Sequence, residues 1–307
     1  MLSEEQIAQF HRDGFLILRG IFQGAELEEL RQAADAVQAE GMAGEGEHHL
    51  YRDNADGSKT YFRSEYMWDR GDIFRVVTVK PDLLACIGQC TGHPFMPIGD
   101  SFVCKIPGGN VPILWHQDPP YQGPESDAET FEMPNFDVDI YLDESNVENG
   151  CVWGIPGHHL VGHVEVENFT EEQLFNDFGA IPMEMQPGDV LFHCISAPHG
   201  SIGNTTDSVR RIFYVHYTTR GVYEQCYPMW HDQKNAYTAP AFALVREMLA
   251  IRKDRGWDSI DGTSVTYTDG IGLEFIGAPG TPPRHWGALI AAMSADEIQS
   301  KKKLQQS

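Results

Sequence analysis

Residues 187–201 read Pro187-Gly188-Asp189-Val190-Leu191-Phe192-His193-Cys194-Ile195-Ser196-Ala197-Pro198-His199-Gly200-Ser201. A Pro-Gly turn opens the stretch, a short apolar run follows, and an Ala-Pro-His-Gly corner comes after it. The run reads as a buried strand, and the corner is where a β-sandwich projects a side chain into its mouth. The same texture extends outward from Phe95. Strands are expected at 100–106, 113–116, 136–142, 151–154, 181–185, 190–193 and 211–218, separated by Gly, Pro and Asn. That density of short strands predicts a mainly β chain, an antiparallel sandwich or barrel with flanking helices.

The helices lie mostly before this core. Ser3 with Gln6 makes a capping box for a short helix that Gly14 ends, and Phe15-Leu16-Ile17-Leu18 reads as a strand. Leu27, Leu30, Ala34 and Val37 give helical spacing over about 25–38. Residues 40–60, rich in Gly, His, Asp and Asn, read as a mobile loop, and another helix is expected over 81–91. The predicted organisation is one domain over 1–307. Within it, residues 1–94 are mainly helical, 95–220 form the core, and 221–307 make a C-terminal extension with a helix near 240–254.

A chain of 307 residues buries a full-sized core without disulfides or a structural metal, so its histidines are free for chemistry. The 45 acidic residues outnumber 22 basic ones, a formal charge of -23 that argues against nucleic acid or an anionic membrane as partner. No apolar stretch approaches the roughly 18 residues that span a bilayer. Six scattered cysteines and a start without signal-peptide character predict a cytoplasmic protein with reduced thiols, acting as a monomer or homodimer on a small molecule.

The chemistry centres on Trp115-His116-Gln117-Asp118. In an extended strand, residues i and i+2 share a face, so His116 and Asp118 can reach one ion. His199 is the best third ligand. Two imidazoles and a carboxylate leave octahedral positions open, the pattern of non-haem iron(II) oxygenases, whereas a structural zinc site closes with four ligands. Arg210 follows His199 by eleven residues, where Arg211 begins the next strand, and an arginine there can pair bidentately with the far end of a dicarboxylate, which suits 2-oxoglutarate. Arg211 takes that role if the register differs by one.

With these residues in order, the chain resembles the phytanoyl-CoA dioxygenase family of iron(II)/2-oxoglutarate oxygenases. The resemblance is carried by Gln6 to Phe22 with Asp13-Gly14-Phe15-Leu16, by His116-Gln117-Asp118, and by Asn149-Gly150-Cys151 followed by Pro156-Gly157-His158-His159. His199-Gly200-Ser201 with Asn204 and Arg210 completes it. It implies a double-stranded β-helix, a cupin-like jelly roll. It also implies iron on His116, Asp118 and His199, and 2-oxoglutarate on Arg210 with Ser201 as hydroxyl partner. Lys105 matches a lysine that some relatives carry near cofactor or substrate. The implied reaction uses O2 and 2-oxoglutarate to oxidise an aliphatic C–H bond, releasing succinate and CO2. Residues 221–307 lie outside the resemblance.

Other readings remain open on the residues alone. A metal-dependent isomerase or hydrolase, or a non-catalytic binding protein, can be built on the same barrel. His193 reads as a core histidine, His216 as a core or cavity-facing one, and His158 and His159 as solvated turn residues. Asp137, Asp139 and Tyr141 share one face of strand 136–142, and Val138, Ile140 and Leu142 the other. The acids face solvent unless the apolar face is covered from outside. In that case they face the site and suit a substrate with a charged nitrogen.

Overall fold

The computed structural model describes residues 1–118, 135–160, 163–223 and 241–277. Helix α1 (Glu4–Asp13) starts at the Ser3–Gln6 capping box and stops at Gly14, whose φ of 80° is left-handed. Strand β1 (Phe15–Leu18) follows, then α2 (Gly24–Ala43), which runs past its expected end at Gln38. Helices α3 (Asp72–Thr78) and α4 (Pro81–Thr91) complete the helical cover on the N-terminal side.

The core strands are β4 (Phe95–Lys105), β5 (Ile113–His116), β6 (Asn135–Tyr141), β7 (Val152–Gly154), β8 (Ile181–Met183), β9 (Val190–Cys194), β10 (His199–Ser201) and β11 (Arg210–Thr219). They form two antiparallel layers. One runs β1-β9-β6-β11-β4, the other β5-β10-β7-β8. The chain crosses between layers after β4, β5, β6, β8, β9 and β10. This is the jelly-roll form of the double-stranded β-helix.

The larger sheet explains the alternation in β6. Phe136, Val138 and Ile140 join Phe102, Phe192 and Phe213 in a core shared with Leu30, Phe74, Val77 and Leu84 of the helices. The apolar face is therefore covered from outside, and Asp137 and Asp139 point between the two sheets. Their orientation is set by helical cover more than 40 residues upstream, which the strand itself does not encode.

Two expectations are corrected. Residues 40–60 are not a loop: β2 (His49–Asp53) and β3 (Lys59–Glu65) form a hairpin, and β3 adds to β4 through Arg63↔Val103 and Glu65↔Ser101. Its polar composition reflects one solvated face, while backbone pairing to the edge of β4 supplies the order. The extension beyond 220 is not confined to a helix either. Besides α5 (Ala241–Asp254), β12 (Val265–Thr268) and β13 (Gly272–Phe275) join the large sheet at β4. Arg252 ties α5 down, donating to Glu26 at 2.8 Å and to the Val76 carbonyl at 2.9 Å.

Candidate active site

Strands β5 and β10 pair with His116 opposite His199, their ring centroids 4.3 Å apart. Asp118 follows the end of β5, held by its backbone N–H donating to the Ile195 carbonyl at 2.9 Å. Alternation continues past the strand. Gln117 turns away, its Oε1 accepting from the Val164 N–H at 2.6 Å, while His116 and Asp118 turn inward. Asp118 Oδ1 lies 3.8 Å from His116 Nε2, and Oδ2 lies 3.7 Å from His199 Nε2. One ligand atom from each residue falls within 4.8 Å of the others, which suits a single ion.

The hydrogen bonds around the imidazoles fix which nitrogen is offered. His116 Nδ1 contacts the Leu114 carbonyl at 2.7 Å, and His199 Nδ1 contacts the Ala197 carbonyl at 2.9 Å. A carbonyl only accepts, so each Nδ1 carries the proton and each Nε2 keeps a lone pair for a metal. Burial, and then His116 and His193 close by, hold the His199 imidazole below its ordinary range. Burial opposes ionisation of Asp118, but His199 and His116 outweigh it and hold the carboxyl low. Neutral imidazoles and an ionised carboxylate are the protonation states a divalent metal requires. The donor set fits iron(II) with open positions.

The cavity beside these ligands is lined by Arg210, Ser201, Ile212 and Tyr214, and also by Asp137 and Asp139. Arg210 is buried. Its Nη2 donates to the Gly150 carbonyl, and its Nε has no hydrogen-bond partner among the described residues. Lys105 pairs with Arg210 across β4 and β11, donating to the carbonyls of Val111 (3.0 Å) and Ile202. Burial, and then Arg210, push its ammonium down to about 6. A buried guanidinium with an unsatisfied N–H favours an incoming carboxylate, so the residues also fit 2-oxoglutarate.

Of the residues singled out in the sequence, His116, Asp118, His199, Arg210, Ser201, Asp137 and Asp139 line the cavity, whereas Lys105 and Tyr141 do not. Lys105 stands behind Arg210, and Tyr141 packs with Phe15, Met183 and Leu191. Arg211 points the other way, donating to Asp143 at 2.7 Å and to Asp35. His158 and His159 are not solvated. The turn at Gly157 closes on α1, donating to the Asp13 carbonyl at 2.9 Å, and both rings are buried. His193 is buried but also lines the cavity, with Nε2 3.5 Å from Asp139 Oδ1. Burial opposes its charge, yet Asp139 and then Asp137 raise it to about 9. His216 contacts Asn135 Oδ1 at 2.6 Å and lies 3.7 Å from Asp137 Oδ1. Burial pushes Asp137 up to about 7. Phe62 and Arg63 also enter the cavity, from the β2–β3 hairpin, and nothing in their local sequence marks them for it.

Comparison with known proteins agrees with this geometry. The phytanoyl-CoA dioxygenase family model matches residues 10–212, more than half of the chain. The methylphosphonate hydroxylase of Gimesia maris is 27% identical over 218 residues, 70% of this chain and 80% of that protein. Among solved structures, AviO1 from Streptomyces viridochromogenes Tue57 has a similar fold at TM-score 0.58, with 20% identity over 72% of this chain and 96% of that one. EctD from S. alaskensis with bound Fe aligns at TM-score 0.57, with 20% identity over 71% and 76%. The chain belongs to the phytanoyl-CoA dioxygenase family of iron(II)/2-oxoglutarate-dependent oxygenases.

Proposed function

We propose that this dioxygenase hydroxylates an aliphatic C–H bond of a small molecule carrying a charged nitrogen, with release of succinate and CO2. The reading rests on one observation: His116, Asp118, His199 and the buried Arg210 line a single cavity. Bound iron(II), with O2 and 2-oxoglutarate, supplies the oxidising chemistry. His116 and His199 hold the metal through Nε2, and Asp118 holds it through carboxylate oxygen.

Arg210 takes the far carboxylate of 2-oxoglutarate through its unsatisfied Nε edge, with the Ser201 hydroxyl beside it. Lys105, opposite Arg210 in the strand register, donates to the Ile202 carbonyl and keeps that backbone in position. Val103, Val152 and Ile212 make this side of the wall apolar, which limits water around the reacting atoms. Asp137 and Asp139, on β6 next to β11 in the same sheet, favour a substrate cation. Hydroxylation is also the reaction named for the Gimesia maris relative.

The test is succinate formation from 2-oxoglutarate with iron(II) and O2, screened over amino acids, betaines and other small amines. Stimulation by a nitrogen cation, with a product heavier by one oxygen, is expected. Stimulation only by neutral or anionic compounds would overturn the substrate reading.

A further inference from the structure

Arg210 is not the cavity's only arginine. Arg63 reaches in from β3, a strand outside the jelly roll proper. Its Nε donates to Ser101 Oγ at 3.0 Å and lies 3.2 Å from Glu65 Oε1, while its guanidinium carbon stands 5.3 Å from the Tyr214 ring centroid. These contacts pin one edge and the plane of the group. The other edge, Nη1 with Nη2, carries no hydrogen bond among the described residues. A planar fork held by its back edge and open toward a cavity matches a carboxylate bidentately. With Arg210 serving 2-oxoglutarate, Arg63 is available to a second anion.

The opposite pole lies across the sheet. Asp139 has His193 Nε2 at 3.5 Å; Asp137 also lines the cavity, and its buried Oδ1, with His216 Nδ1 3.7 Å away, accepts no hydrogen bond among the described residues. Strand register separates the two poles. Arg63 aligns with Val103 on β4 and Ile212 on β11, whereas Asp137 aligns with His216 on β11, four residues further along. Ile212 and Tyr214 form the floor between them. Asp118, His116 and His199 line the same cavity as Arg63 and Asp137, so a molecule joining the poles lies in the cavity of the metal ligands.

We propose that the substrate is a zwitterion, an amino acid or N-alkylated amino acid, whose carboxylate takes the Nη1–Nη2 fork of Arg63 and whose ammonium takes Asp137. The proposal rests on the reading of the site as a 2-oxoglutarate dioxygenase and adds the residues that select the substrate. An amine alone leaves the Arg63 fork without an acceptor, and a carboxylate alone leaves Asp137 without a donor.

The experiment is calorimetric titration of the full chain, loaded anaerobically with iron(II) and 2-oxoglutarate. The probes are the proteinogenic amino acids and their N-methyl forms, each with its methyl ester and its N-acetyl derivative. At least one free amino acid is expected to bind about tenfold or more tightly than both derivatives. Arg63→Gln should remove most of that advantage over the ester, and Asp137→Asn most of that over the N-acetyl compound. An ester or N-acetyl derivative binding as well as its parent overturns the proposal, as does unchanged affinity in Arg63→Gln. Iron-dependent succinate formation without added substrate is measured on the same protein. If it persists and no zwitterion binds, the substrate assignment alone fails. If it is absent as well, the reading of the site fails and the assignment falls with it.

Discussion

Arg210 and Arg211 are adjacent on β11 yet serve opposite faces of the sheet. Arg210 faces the cavity with its Nε unsatisfied, and Arg211 is locked outside it by Asp143 at 2.7 Å and by Asp35. The two should therefore fail differently when truncated. Arg210→Ala is expected to weaken 2-oxoglutarate binding by roughly ten- to a hundred-fold, the worth of a charged hydrogen-bonded pair. Arg211→Ala should leave that affinity near wild type but lower the unfolding free energy by about 3 kcal/mol, because Asp143 loses its buried partner. Titration of 2-oxoglutarate into both variants, with denaturant unfolding alongside, separates the effects. A larger affinity loss in Arg211→Ala would move the co-substrate role to Arg211.

Gly150 should matter through Arg210. Its φ is 82°, and an added Cβ would stand 2.5 Å from the Ile202 carbonyl oxygen and 3.1 Å from Lys105 Cδ. Its own carbonyl accepts from Arg210 Nη2. Gly150→Ala is expected to cost about 1–3 kcal/mol of stability. It should also weaken 2-oxoglutarate binding several-fold, and unchanged binding would show that this carbonyl does not position Arg210.

Asp137 gives a pH dependence with a definite sign. Burial raises its carboxyl from 3.8 to about 7, so between those values the folded chain holds a proton the unfolded chain has released. Stability from this group is complete below about 3.8 and lost as pH rises through about 7. Its share of the loss between pH about 5.5 and about 8 is roughly 2 kcal/mol. Denaturant unfolding of metal-free protein at those two pH values should show a smaller fall in Asp137→Asn than in wild type. Identical falls would mean that Asp137 ionises freely in the fold.

The elements of the site readable from sequence are those whose geometry is local. His116 and Asp118 sit two apart, and the Ala-Pro-His-Gly corner turns His199 inward, so residue chemistry and spacing are enough. Arg210 can be chosen over Arg211 only through the family spacing, because either could face the cavity until the strand register is known. The direction of Asp137 and Asp139 depends on the layer formed by Leu30, Phe74 and Leu84, far from β6 in sequence. The burial of His158 and His159 depends on contact with α1, equally remote. Arg63 is hidden for a different reason. Its hairpin is polar on the solvent side and gains its order from pairing with β4, so composition suggests a loop.

The central claim is that His116, Asp118 and His199 together hold one iron(II). It is tested most directly by anaerobic equilibrium binding of iron(II) to wild type and to His199→Ala, with circular dichroism confirming that both are folded. One iron per chain is expected in wild type, with little or none in the variant at the same free iron concentration. Wild-type affinity and stoichiometry in folded His199→Ala would contradict the claim.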